Sequence, residues 1–196
     1  MPRDPSIDRA VVDACVELLG EVGRSNLSRG QIARRAGVSL PAVNRRFDSV
    51  DDIILAIART PMNVDPLPAT HDLRSHLIAR FTRAASTLDR MPVRRAAAEL
   101  VAAVAGDERI DAAFTASLTA QRAETLEVVE RARRSGEISA DADGELLLDL
   151  LNGALYYRLL WRNQRLNEAE VEPLVDLVLA GFRDGRGRGS KPAVVD

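Results

Sequence analysis

Apolar residues recur at helical spacing along nearly the whole chain, and the strict alternation of a strand appears nowhere. The first stripe is Ile7, Ala10, Val11, Ala14, Cys15, Leu18 and Leu19, one face of a helix that Ser6 is placed to cap and Gly20 and Gly23 to close. Ile32, Ala33 and Ala36 mark a short second helix, capped by Ser28 with Gln31 at the capping-box position and ended by Gly37. Val38 follows as an apolar plug. Ser39 caps a third helix, with Pro41 in its first turn and with Val43 and Phe47 sharing a buried face. Ser49 and Asp52 form another cap pair, and Ile53, Ile54, Ile57 and Ala58 carry a fourth helix to about Arg59. Cap, short helix, glycine turn and second capped helix are the parts of a helix-turn-helix, here over residues 27–47.

Pro61, Pro66 and Pro68 interrupt the pattern, so residues 60–70 read as a linker. Beyond it the spacing predicts helices over about 72–90, 93–105, 110–135, 142–162 and 168–182, the last capped by Asn167 with Glu170. Met91-Pro92 and Gly106-Asp107 separate the first three of these, and Pro173 predicts a kink or a late start in the last. The expected architecture is all-α with about nine helices: an N-terminal helix-turn-helix domain over 1–59, the linker, a C-terminal helical domain over 71–183, and a disordered Gly-Arg-rich tail over 184–196.

The segment 142–162 is apolar nearly all round, and such a helix must be buried on all sides. Two readings follow. Its own domain covers one side and a partner copy the other, with Leu147, Leu151 and Leu155, and Leu174 and Val178 of the last helix, in a four-helix dimer seam. Alternatively both are ordinary core helices.

The 196 residues are 46% hydrophobic, enough for a proper core, and carry a net charge of −2. That average hides a local excess. Between Val22 and Phe47 stand Arg24, Arg29, Arg34, Arg35, Arg45 and Arg46 without one acid, the locally positive field that phosphate binding needs. The single Cys15 excludes an intrachain disulfide and lies on an apolar face, which predicts a buried thiol. Residues 1–10 are polar and charged and no apolar run reaches the length of a membrane span, so a cytoplasmic protein without membrane contact is expected. Enzyme chemistry finds no support. His71 and His76 are badly spaced for one helical face, and Asp51-Asp52 fits the first turn of a helix, where acids favour the dipole. No phosphate-binding glycine motif is present, and neither a metal nor a cofactor is expected.

With its first helix ending in a glycine-rich turn, Ser28 to Ala36, Gly37-Val38-Ser39 followed by Phe47, and the Ser49-Val50-Asp51-Asp52-Ile53-Ile54 entry to the fourth helix, the chain resembles the TetR family of bacterial transcriptional repressors. The resemblance is specific over about residues 10–58 and extends to the rest in helix count and length. It implies a homodimer on a palindromic double-stranded operator, with recognition helices over about 40–47 in successive major grooves. Ser28, Arg29, Gln31, Ser39, Leu40, Pro41, Ala42, Asn44, Arg45 and Arg46 would face the DNA. The family often has Lys at the places of Leu40 and Val50 and an aromatic at Asn44. Here Asn44 is suited to an adenine edge, and the arginines take over phosphate contact. The resemblance also implies a cavity for a small-molecule effector in the C-terminal domain, with the fourth helix as the lever. Polar and aromatic groups on apolar faces there make Phe81, Phe114, Leu118, Gln121, Asn152 and Tyr156 candidate ligand contacts, with Trp161 beside them. The alternative is a DNA-binding dimer without effector, whose C-terminal domain serves only dimerisation or a protein partner.

Overall fold

The computed structural model describes residues 5–60, 72–89, 91–164 and 166–183. The expected linker beyond Thr60, His71 and the tail over 184–196 lie outside them. Among the described residues there are nine α-helices and no strand. They are α1 (Pro5–Val22), α2 (Arg29–Arg35), α3 (Leu40–Asn44), α4 (Val50–Arg59), α5 (Leu73–Asp89), α6 (Met91–Val104), α7 (Glu108–Ser135), α8 (Gly144–Leu160) and α9 (Glu168–Arg183), with a 3-10 turn at Arg24–Asn26.

Local chemistry sets most of these limits, with some departures. Helix α1 begins at Pro5, so Ser6 stands inside its first turn rather than capping it. Gly23, at φ 75°, follows the end of α1, but Gly20 is an interior residue. A Cβ on Gly20 would stand 2.1 Å from the carbonyl oxygen of Pro92, so the glycine is there to let the α6 backbone touch α1. Met91 and Pro92 open α6 instead of separating it, because a first turn has no use for the missing N–H. Asn167 and Glu170 cap α9 reciprocally, at 3.0 and 3.1 Å, and the helix starts at Glu168 and runs through Pro173.

The chain packs as two units. The first holds α1 to α4, α6 and α7 as far as Thr119. Its core joins Val11, Cys15, Leu18 and Leu19 to Ile32, Val43, Phe47, Ile53, Ile54, Leu100 and Ile110. Burial pushes the Cys15 thiol up to about 12, as expected of a structural rather than a reactive cysteine. The second unit holds α5 as far as Thr87, α7 from Ala120, α8 and α9. Its core is Leu73, Leu77 and Phe81 with Val129, Leu147, Leu148, Leu151, Leu155 and Leu159 of α8, and Val171, Val175, Leu179 and Phe182. Glu137 accepts from the first amide of α5 at 3.1 Å, and the Arg74 guanidinium is paired with Asp176 and Glu172 of α9.

The α8 expectation needs correction. Leu147, Leu151 and Leu155 are 0%, 0% and 3% exposed in the single chain, so they cannot meet a partner copy. Leu174 and Val178 of α9 are half-buried. The apolar side chains left in water are others: Leu150 at 48%, Tyr157 at 56%, Trp161 at 74% and, on α9, Leu177 at 74%. Tyr157 and Trp161 stack with ring centroids 6.4 Å apart.

Candidate nucleic-acid interface

The helix-turn-helix is built by side-chain caps and one glycine. The Ser28 hydroxyl accepts from the Gln31 amide at 3.3 Å and donates to the Gln31 side-chain oxygen at 2.7 Å. Gly37, at φ 68°, ends α2, and the Val38 amide reaches back to the Ala33 carbonyl at 3.0 Å, the hydrogen bond of a Schellman turn. The Ser39 hydroxyl accepts from the Ala42 amide at 3.3 Å and starts α3. Ser49 and Asp52 complete a capping box at the start of α4. Val43 and Phe47 are buried, which fixes the rotation of α3 and turns Leu40, Pro41, Asn44 and Arg45 to the outside. Ala42 is 7% exposed and faces the core, so its side chain is not on that surface.

The arginines divide more sharply than their spacing suggests. Residues 22–47 contain no acid, yet the fold brings acids to them from α1 and α4. Arg24 pairs with Asp51 at 2.9 Å. Arg35 pairs with Glu17 at 3.0 Å and Glu21 at 2.7 Å, and its hydrogen bond holds the Glu21 carboxyl below the usual carboxylate range. Arg46, with a side chain only 11% exposed, sits 2.8 Å from Asp8 and donates to the Ala42 carbonyl at 3.1 Å. It ties the end of α3 to α1 and is not a free cation for DNA. Arg29 donates to the Phe47 carbonyl at 2.9 Å, linking the start of α2 to the residue that anchors α3. Arg34 and Arg45 are exposed, and their side chains make no hydrogen bond or ion pair among the described residues. Ser28 and Ser39 are exposed beside them and Gln31 is half-buried.

This surface has the chemistry of a groove reader. Arg45 offers a guanidinium to guanine or phosphate, Asn44 a donor–acceptor pair to adenine, and Leu40 with Pro41 apolar contact to a thymine methyl. Arg34 was not among the sequence candidates. No sequence signal separates it from Arg35, because only the packing of α1 on α2 brings Glu17 and Glu21 to Arg35 and leaves Arg34 exposed.

The ligand candidates fall into two groups. Phe114 packs against the core of the first unit, to which Leu118 also belongs. Phe81, Gln121, Asn152 and Tyr156 lie in the second. Asn152 donates to the Leu148 carbonyl of its own helix at 2.8 Å, and Phe81 is 1% exposed. Three buried polar residues of that unit escaped the sequence reading as ligand contacts: His76, Arg80 and Thr125, at 5%, 9% and 0% exposed. A groove of about 400 Å³ over Leu126, Arg133 and Glu145, and one of about 580 Å³ over Asp13, Glu17 and Pro92, contain none of the candidates. Among the described residues no group of His, Cys, Asp and Glu could hold a metal ion, and no helix is long and apolar enough to cross a membrane.

Comparison with known proteins bears on both halves of the chain. Residues 11–57 match the family model for bacterial regulatory proteins of the tetR family, and residues 67–178 match that for the tetracyclin repressor-like C-terminal domain. The uncharacterized HTH-type transcriptional regulator YdeS of Bacillus subtilis (strain 168) is 26% identical over 184 residues, covering 93% of this chain and 91% of its own. The HTH-type transcriptional regulator AqdR of Rhodococcus erythropolis is 23% identical over 176 residues, covering 87% and 83%. Among solved structures, the TetR family transcription regulator SCO0332 superposes with a TM-score of 0.66 at 30% identity, covering 89% of this chain and 97% of that one. The fatty acid degradation regulator FadR from Bacillus halodurans shares the fold, with a TM-score of 0.72 at 19% identity over 93% and 99% of the two chains.

Proposed function

The chain belongs to the TetR family and is a helix-turn-helix DNA-binding transcriptional regulator rather than an enzyme, and from that premise we propose that it is a repressor released from its operator by a small molecule. The observation that supports the DNA side most is the outward face of α3, where Leu40, Pro41, Asn44 and Arg45 stand exposed while the neighbouring Ala42, Val43 and Arg46 are committed to the fold. A palindromic operator follows if the reader is a two-fold dimer, because each half-site then meets one α3. The exposed Leu150, Tyr157, Trp161 and Leu177 supply the apolar surface for such a dimer on α8 and α9. The protein then acts in the cytoplasm, on the chromosome.

Release by a ligand requires that the ligand bind more tightly to the dimer shape that misplaces the reading heads. By reciprocity, operator DNA weakens ligand binding by the same factor. The test has two stages. Genomic fragments retained by the protein at physiological salt identify the operator. Transcription from those fragments in vitro, with and without the protein, then gives the sign of regulation. Reduced transcripts support repression, and increased transcripts contradict it.

A further inference from the structure

Three helices of the second unit each place two polar residues four apart in an otherwise apolar interior: His76 and Arg80 on α5, Gln121 and Thr125 on α7, and Asn152 and Tyr156 on α8. The pairs converge. His76 Nε2 lies 3.4 Å from the Thr125 hydroxyl, and the Arg80 charge acts on both His76 and Tyr156. Arg80 is the member without an explanation in the fold. It is 9% exposed, yet its guanidinium makes no hydrogen bond or ion pair among the described residues, and its one ring contact is Phe81, at 5.9 Å. A buried cation without acceptors is strongly unfavourable.

The neighbours do not neutralise it. Burial pushes the Tyr156 phenol above its ordinary value and the His76 imidazole below its own, so both are uncharged near neutral pH. Glu124 is exposed, and its carboxylate favours the Arg80 charge without forming an ion pair with it. Arg122 adds positive charge, although Glu145 and Asp149 hold it. The unit therefore holds a largely buried cation, whose nitrogens keep some contact with solvent but have no protein acceptor among the described residues, flanked by neutral hydroxyl, imidazole and amide groups beside a core of leucine and phenylalanine.

We propose that Arg80 is the anchor of the effector site, and that the effector is an apolar compound carrying one oxyanion, such as a carboxylate, held by the Arg80 guanidinium with Tyr156, Thr125 and His76 around it. This rests on the reading of the protein as ligand-responsive. A planar guanidinium presents paired donors that match two carboxylate oxygens, and the low-polarity surroundings strengthen that pairing. A neutral ligand would leave the cation unmatched.

The experiment compares acids with their own amides. Octanoate and benzoate, each against octanamide and benzamide, are titrated into the full-length wild type, Arg80→Met, Arg80→Lys and Tyr156→Phe, with melting temperature and calorimetric binding as readouts. At least one acid should stabilise the wild type where its amide does not. Arg80→Met should weaken binding of that acid by about 10–100-fold, the loss of hydrogen bonds to a charged group, and its ligand-free melting temperature should equal or exceed that of the wild type, since an unmatched buried cation is gone. Arg80→Lys should retain part of the response. Acids and amides that behave alike in the wild type, whether both bind or neither does, overturn the proposal, as does an acid response that survives in Arg80→Met. Operator titrations separate the two readings. An acid that binds through Arg80 yet leaves DNA affinity unchanged supports the anion site and removes release by ligand. An amide that releases DNA equally from wild type and Arg80→Met leaves release standing and removes the anion assignment.

Discussion

Arg45 and Arg46 are adjacent in sequence and opposite in task. One points to solvent from the end of α3, and the other is folded onto Asp8 and the Ala42 carbonyl. Arg46→Ala should lower unfolding stability by about 1–3 kcal/mol, the range for losing hydrogen bonds to a charged group, in a denaturant titration where Arg45→Ala changes nothing. Gly20→Ala should be destabilising although alanine is the better helix former. Its methyl would collide with the Pro92 carbonyl, and overpacking costs about 1–3 kcal/mol. His76 predicts a pH effect. Its pKa is depressed by burial first, with Arg80 and Arg131 also lowering it, Glu124 opposing, and the Thr125 hydroxyl beside the ring. The unfolded chain therefore binds the proton more readily, and stability is lost as pH falls below about 6.5, the ordinary histidine value. Thermal melts of wild type and His76→Gln across that window should show a shallower slope in the variant. At this scale charge was legible in the sequence and partnership was not. Nothing near residue 46 indicates that its acid is Asp8, nor does anything near Arg35 point to Glu17 and Glu21.

Elements were legible wherever their limits are local. Ser28, Ser39, Ser49 and Asn167 are each followed three residues later by Gln31, Ala42, Asp52 or Glu170 in the expected hydrogen bond, and Gly37 takes its positive φ. Such signals act within one turn of helix, so they survive without knowledge of the fold. Gly20 and Met91-Pro92 misled for the converse reason. A glycine can end a helix or admit a neighbour, and only the approach of α6 distinguishes the two. Helix α8 shows the same limit. Its apolar circumference announces burial on several sides but not which side faces its own unit. Two substitutions expose the difference. Leu151→Ala should cost about 2–5 kcal/mol in unfolding as a core truncation, whereas Leu177→Arg should leave a folded protein that runs as a monomer in light scattering at micromolar concentration. A Leu177→Arg protein that remains dimeric would rule out this part of α9 as the seam.

The plan of the chain, nine helices among the described residues with a helix-turn-helix near the start, was legible because hydrophobic periodicity is repeated in every helix. The assignment of α6 and the first part of α7 to the same unit as α1 to α4 was not, since it depends on contacts between segments far apart in the chain. The outward face of α3, with Leu40, Pro41, Asn44 and Arg45 exposed, was legible from the spacing of Val43 and Phe47, whereas the burial of His76, Arg80 and Thr125 was not, because in sequence they look like ordinary polar positions of a helix. The central claim is that the outward face of α3 reads DNA, and a salt-controlled titration of wild type, Arg45→Ala and Arg46→Ala against the captured genomic fragments tests it most directly. The account predicts that Arg45→Ala loses about 1–3 kcal/mol of binding to those fragments while keeping the wild-type melting temperature. Retention of wild-type affinity by a folded Arg45→Ala protein, with the loss confined to Arg46→Ala, would contradict it.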